Sequence, residues 1–201
     1  MISANRFIAS VSQNKSDWLE ARESAVTATT VARAATPRGF ENETIHKMPR
    51  ELVDGNAYID FGVEMEPVIA KYVKDEFEIM PNDWLISASE DHGKYMATPD
   101  GLSLDHVVIS EIKTTGKDWG ELKNIPIHYR RQVQWQMYCT GALRCLFAWL
   151  LRLEVDGVMV PAWFEPKHIW IHRDEQEITK LKDVADRLLE WRKQNATVQP
   201  R

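Results

Sequence analysis

The chain has 201 residues, 44% hydrophobic and 27% charged, with 25 Lys+Arg against 30 Asp+Glu for a net charge of −5. That composition excludes a disordered, collagenous or fibrous chain, and the length suits one large domain. Two cysteines, Cys139 and Cys145, are too few for a disulfide framework or a four-cysteine metal site, and they fit a reducing, cytoplasmic setting.

The N-terminal stretch lacks the continuous apolar segment of a signal peptide, and the longest apolar run, Cys145 to Leu151, is too short for a bilayer and reads as a buried strand. No membrane association is expected. Ser16 reads as the cap of a first helix running to Arg22, and Thr27 as the cap of a second that Pro37 stops. Residues 37–56, rich in charge, Pro and Gly, read as a long loop holding at most a helical turn. Apolar residues at Phe61, Met65, Val68, Ile69, Tyr72 and Val73 recur at helical spacing between Asp60 and Glu78. Short strands follow at 84–90, 94–98 and 107–113, with Pro99-Asp100-Gly101 as a turn. A helix is expected over 126–141, with Pro126 near its start and Gly141 past its end. Residues 144–155 read as a strand, Asp156-Gly157 as a hairpin turn and 168–172 as another strand. Asp174 reads as the cap of a last helix with Ile178, Leu181, Ala185 and Leu188 on one face. This order predicts one α/β domain over 1–201, a central mixed sheet flanked by helices. Its parts are N-terminal helices at 16–36, a core at about 60–155, and C-terminal strands and helix at 158–194.

Charge is uneven. Residues 51–100 carry 12 acidic and 3 basic side chains, either a solvated face or a place for hard divalent cations, which take carboxylate oxygens. The local pattern is sharper at Asp100 and Glu111-Ile112-Lys113. In a strand, residues two apart share a face, so Glu111 and Lys113 project together at the end of a face begun by Val107 and Ile109. Charged groups there are costly unless paired or bound to a metal. Asp100, at the turn into this hairpin, lies across from Glu111. Two such carboxylates suit Mg²⁺ or Mn²⁺, and the lysine suits orienting or deprotonating a bound water, which together serve phosphodiester hydrolysis. Glu66, with Ile69, Ala70 and Val73 at i+3, i+4 and i+7, is expected on the apolar side of its helix. On the later helix Arg130, Gln134 and Tyr138 share a stripe while Arg131 lies elsewhere, residue types that suit phosphate contact. Trp135, Trp149, Trp163 and Trp170 read as core, Trp18 and Trp119 as candidates for a contact surface.

Taken together, these residues resemble the phage lambda exonuclease family, the YqaJ-type viral recombinase nucleases of the PD-(D/E)xK superfamily. The likeness runs from about Trp18 to Arg152. It is carried by Trp18-x-x-x-Arg22 with Val26-Thr27-Ala28-Thr29, Phe61-Gly62-x-x-x-Glu66, Thr98-Pro99-Asp100-Gly101, Glu111-Ile112-Lys113 and Tyr129-x-x-Gln132-Val133-Gln134. It implies a restriction-endonuclease-like core and a metal-dependent exonuclease that degrades one strand of linear duplex DNA from its 5′ end, leaving a 3′ overhang for a single-strand annealing protein. It also implies two Mg²⁺ ions per site, with Mn²⁺ as a substitute, a homotrimer, and a phage or prophage setting. Asp100, Glu111, Glu66 and the Ile112 carbonyl would hold the metals, Lys113 would act on the attacking water, and Gln132 and Gln134 would line the site. Arg22, Thr29 and Thr98 match a 5′-phosphate pocket, with hydroxyls kept where the lambda pattern has serines. Tyr129, Arg130 and Arg131 would contact DNA. The competing readings are an endonuclease of the same superfamily and a catalytically silent DNA-binding recombination module.

Overall fold

The computed structural model describes residues 1–45, 57–91 and 93–195. The chain opens with strand β1 (Phe7–Ser10), helix α1 (Lys15–Ser24), the short strand β2 (Val26–Thr27), α2 (Ala28–Ala34) and α3 (Pro37–Thr44). The long helix α4 (Ala57–Phe77) follows, then β3 (Ile79–Pro81), β4 (Trp84–Ser87), β5 (Tyr95–Ala97), β6 (Gly101–Ser103) and β7 (Val108–Thr115). Helix α5 (Ile127–Thr140), β8 (Arg144–Val155), β9 (Val158–Pro161), β10 (Lys167–His172) and α6 (Glu175–Asn195) complete it.

The expected helices and strands are present, with local differences. The first helix is capped two residues earlier than Ser16: Asn14 Oδ1 accepts from the Ser16 and Asp17 N–H groups at 3.0 and 3.3 Å. The segment read as a long loop begins with a true helix, α3, because Thr36 caps it through the Gly39 N–H and Pro37 is pre-set for the first turn. The rest of that segment, 46–56, lies outside the described residues. Asp174 caps α6 as expected, accepting from the Gln176 and Glu177 N–H groups. Gly141 ends α5 with φ of 80°, a left-handed conformation that glycine adopts without penalty. Asp156 and Gly157, both at positive φ, make the two-residue turn between β8 and β9.

The strands divide between two sheets. One has four strands in the order β1-β4-β5-β2, with β2 and β5 parallel. The other runs β10-β8-β7-β6-β3, with β9 extending β8 as a hairpin. In this second sheet β7 and β8 are parallel and joined through α5, so α5 must cross over one face of the pair. On that face Ile109, Cys145, Phe147 and Trp149 pack with Val133 and Met137 of α5. On the opposite face Val108, Ile112, Leu146, Ala148 and Leu150 meet Ile69 and Val73 of α4. Beyond α5 lies a further layer, in which Trp135 and Cys139 pack with Val31 and Ala34 of α2 and Leu181, Ala185 and Leu188 of α6. Helix α5 is thus covered on two sides, and residues 133–137 are all buried. Among the described residues no helix is long and apolar enough to cross a membrane.

The chain passes from one sheet to the other through Thr98, Pro99 and Asp100, between β5 and β6. Gly101 pairs with Ser110, and the crowding there leaves no room for a side chain: a Cβ on Gly101 would lie 2.3 Å from Ser110 Oγ and 3.1 Å from the Met80 carbonyl. Gly101→Ala is expected to destabilise the fold by about 1–3 kcal/mol, read from urea denaturation, because the contact includes main chain that cannot yield. A midpoint equal to that of the natural sequence would show that the crossing relaxes.

Candidate active site

The pairing of Gly101 with Ser110 makes Asp100 and Glu111 neighbours across β6 and β7. Asp100 is fixed at the backbone: its N–H donates to the Ser110 carbonyl at 3.1 Å, and its carbonyl accepts from the Asn82 N–H at 2.9 Å. Asn82 Nδ2 also donates to the Pro99 carbonyl at 2.8 Å. The Asp100 side chain turns back onto β7, where Oδ2 accepts from the Ile112 N–H at 2.6 Å.

Glu111 is 1% exposed, at the interface between β7 and α5. Oε1 accepts from Lys113 Nζ and from Gln132 Nε2, the latter at 2.5 Å, and Oε2 accepts from Gln136 Nε2 at 2.6 Å. A carboxylate at this depth is stable only with such partners. Lys113 Nζ donates to the Ile112 carbonyl at 3.0 Å as well, and it lies 5.4 Å from the centroid of the Tyr129 ring. Its ammonium therefore rests against two of the oxygens proposed from sequence as metal ligands, so the donor set converges on a point that favours positive charge.

The electrostatics agree. Burial pushes the Asp100 carboxyl well above the usual carboxylate range, and Glu111 pushes it further, against the opposing Lys113 ammonium and the Ile112 N–H. For Lys113, burial pulls downward, but Glu111 and Asp100 outweigh it and hold the group above its ordinary value. The lysine is an ammonium in this arrangement.

On the other side of Asp100 a cavity of about 720 Å³ opens, lined by Asp100, Ile112, Glu66, Ala70, Lys71 and Lys74, with Ser12, Asn82 and Asp83 across from the helix. Glu66 is exposed, not turned into the core as its apolar neighbours suggest, because the sheet covers only the Ile69 and Val73 line of α4. Val68 is exposed for the same reason. No group of three His, Cys, Asp or Glu side chains that could hold a metal ion forms among the described residues. The donors that come together are two carboxylates and a main-chain carbonyl, with Glu66 on the cavity wall. These are hard oxygens, the kind that suit Mg²⁺ or Mn²⁺.

A model of the YqaJ-like viral recombinase domain matches residues 17–143. The chain belongs to this family. Among solved structures, it is similar to an alkaline exonuclease (LHK-Exo) from Laribacter hongkongensis, with 26% identity, a TM-score of 0.65, and coverage of 90% of this chain and 98% of that one. A structure of LHK-Exo in complex with dAMP aligns at 23% identity and a TM-score of 0.63, covering 92% and 100%. A phage-related exonuclease from Haemophilus somnus 129PT aligns at 13% identity and a TM-score of 0.63, covering 86% and 95%, a likeness of fold alone. No curated protein matches the chain. The family and these neighbours make the fold a restriction-endonuclease-like α/β domain.

The residues singled out from sequence separate into groups. Asp100, Glu111, Lys113, the Ile112 carbonyl and Gln132 are together, and Tyr129 packs beside Lys113 against Trp119 at 5.8 Å between ring centroids. Trp119 is buried there, so it is no contact surface. Gln134 points away from the site: Nε2 donates to the His172 carbonyl and Oε1 accepts from the Asp174 N–H, both at 2.8 Å, clamping the junction of β10 and α6. Two residues along a helix is about half a turn, so Gln132 and Gln134 cannot face the same group. Arg131 is ion-paired to Glu177 of α6 at 3.0 Å, and with Arg130 and Gln134 it lines a separate cavity of about 710 Å³ at the start of α6. In the parallel pair β2 and β5, Thr27 stands against Met96, so Thr29 and Thr98 emerge at the same end of the sheet. Arg22, in the last turn of α1, stacks its guanidinium over Trp18 at 4.3 Å. Gln136 and Asn82 were not legible as site residues, although the i, i+4 spacing of Gln132 and Gln136 is a signal that both face one neighbour.

Asp100→Asn keeps an oxygen for the Ile112 N–H and removes the charge. The folded Asp100 carboxyl holds its proton more tightly than in the unfolded chain, so its contribution to stability is present at acid pH and is lost as pH rises through the raised folded value. With a chelator present, Asp100→Asn is expected to raise Tm, more at about pH 8 than at about pH 5. A thermal-melt series showing the same difference at both pH values would refute this.

Proposed function

We propose that the protein is a metal-dependent exonuclease that degrades linear double-stranded DNA in the 5′-to-3′ direction and leaves 3′ overhangs for a single-strand annealing protein. The observation that carries the reading is the convergence of Asp100, Glu111, the Ile112 carbonyl and the Lys113 ammonium beside an open cavity. Membership of the YqaJ-like family and the likeness to alkaline exonucleases support it.

Asp100, Glu111 and the Ile112 carbonyl would hold Mg²⁺ or Mn²⁺, two ions in the full site, with Glu66 acting from the cavity wall. Bound there, the ions supply Lewis-acid activation of water and stabilise charge on the phosphate. The chain's own groups do the positioning. Lys113, charged and held by Glu111, is a donor; it orients the attacking water and the phosphate oxygens rather than taking the water's proton. Gln132 steadies Glu111 from α5. Lys71 and Lys74 on the cavity wall would meet a DNA backbone that entered the cavity, and their charge there offsets part of the acidity of the carboxylates.

Arg22, Thr29 and Thr98 form the proposed 5′-phosphate pocket. Arginine offers a fork of donors to phosphate, and the Thr98 hydroxyl is buried without a hydrogen-bond partner among the described residues. Arg130 and Arg131, turned toward α6, are outside this path and are not proposed as contacts at the cut phosphate. The reading includes a homotrimer, which light scattering on the purified protein tests directly, working in a phage-type recombination setting in the bacterial cytoplasm.

The decisive assay presents three DNAs with Mg²⁺: linear duplex with a 5′-phosphate, the same with a 5′-hydroxyl, and a covalently closed circle. Loss of the linear phosphorylated duplex with the circle intact is expected. Cutting of the circle would point to an endonuclease, and binding without cleavage by Mg²⁺ or Mn²⁺ to a silent module. Asp100→Ala and Lys113→Ala are each expected to reduce cleavage by about 10²- to 10³-fold or more, the lower bound being the scale of losing one electrostatic partner of the transition state. Arg22→Ala should slow phosphorylated ends selectively, and an equal loss on hydroxyl ends would count against the pocket.

A further inference from the structure

Gln136 lies one helical turn beyond Gln132 on α5 and is 1% exposed. Its Nε2 donates to Glu111 Oε2 at 2.6 Å and reaches the Thr98 carbonyl at 3.5 Å. Its own Oε1 is buried with no hydrogen-bond partner among the described residues. A residue present only to fill space between α5 and β7 would gain from being apolar, because an orphaned amide oxygen at this depth weakens the fold. The amide nitrogen has a use that an apolar group could not serve.

That use follows from which oxygen each donor takes. Lys113 and Gln132 both bond Oε1 of Glu111. Donors on one oxygen leave the carboxylate free to turn about its last torsion, which is soft. Gln136 holds the other oxygen, so the two amides, four residues apart on one rigid helix, set the plane of the carboxylate. The same nitrogen reaches the main chain two residues before Asp100. Glu111 and the segment carrying Asp100 are both referred to a single side chain on α5.

We infer that Gln136 is a positioning residue that fixes the orientation of Glu111 for metal binding. The inference rests on the proposed metal-dependent reading of the site and deepens it. Removing such a hydrogen bond to a metal-holding carboxylate commonly costs 10- to 100-fold in metal affinity. Gln136→Met keeps the length and bulk of the side chain and deletes the donor.

The test compares Gln136→Met with Gln134→Met, a buried glutamine of the same helix that serves only the β10–α6 junction. Mn²⁺ binding to the DNA-free protein is measured by isothermal titration calorimetry, thermal stability in chelator, and cleavage of linear duplex against Mn²⁺ concentration. Gln136→Met is expected to weaken Mn²⁺ binding about tenfold and to shift the metal dependence of cleavage by a similar factor, with activity partly recovered at high Mn²⁺. Gln134→Met is expected to lower Tm and leave Mn²⁺ affinity unchanged. Should Gln136→Met fail to fold, Gln136→Asn keeps an amide that falls short of Oε2 and is expected to give the same shift. Wild-type Mn²⁺ affinity in a folded Gln136 variant overturns the inference and leaves the nuclease reading standing. A natural protein that neither binds Mn²⁺ nor cuts overturns both.

Discussion

A carboxylate buried where a sheet meets a helix is the constraint around which this molecule is organised. Glu111 lies between β7 and α5, almost wholly out of water, and it is kept there by Lys113, Gln132 and Gln136. Each donor depends on a separate piece of architecture. Lys113 is two residues along the same strand, so the period of a β-strand brings it alongside. The two glutamines share one face of α5 because helix positions four apart are neighbours. Helix α5 comes to lie over β7 because the parallel pairing of β7 with β8 demands a crossover connection.

The second carboxylate comes from a different logic. Asp100 is held by the main chain at the crossing between two sheets, where Asn82 and Ser110 grip its backbone and the absence of a side chain on Gly101 allows the close approach. Glu66 comes from the opposite face of the six-stranded sheet, on α4. Asp100, just before the start of β6, therefore stands between an α5 side that is sealed and an α4 side that is open. Structural likeness persists in neighbours of 13–26% identity because layers of this kind require apolar positions in the right places, and many sequences satisfy that. Chemistry is set by a few polar groups on that frame.

The acidic quarter of the chain illustrates how charge divides by role. Of its acidic residues, Glu66, Asp75, Asp83 and Asp100 line the open cavity, and Asp75 is paired there to Lys71. Acidity as a regional total says little about a site; depth does. Asp100 is perturbed because its carboxyl is withdrawn from water beside Glu111.

Local pattern alone determined most of the helices and the longer strands, though not α3 or the short β1, β3 and β6, together with the capping of α6 by Asp174, the turn at Asp156-Gly157, and the grouping of Asp100, Glu111 and Lys113, since each depends on residues within a dozen positions of one another. The five short motifs in order were also enough to suggest the family. Only the tertiary structure decided which glutamines serve the site. From Val133 onward α5 is covered on both the sheet side and the α2–α6 side, so this part has no solvent face against which an amphipathic stripe could be read. Gln134 and Arg131 consequently turned out to hold α6 and its junction, Gln136 to hold Glu111, and Trp119 to be core. Glu66 faces a cavity because the sheet covers only part of an apolar stripe that looks continuous in sequence. Spacing along the chain tells which residues share a face; what that face meets depends on elements distant in sequence, and that is settled by packing.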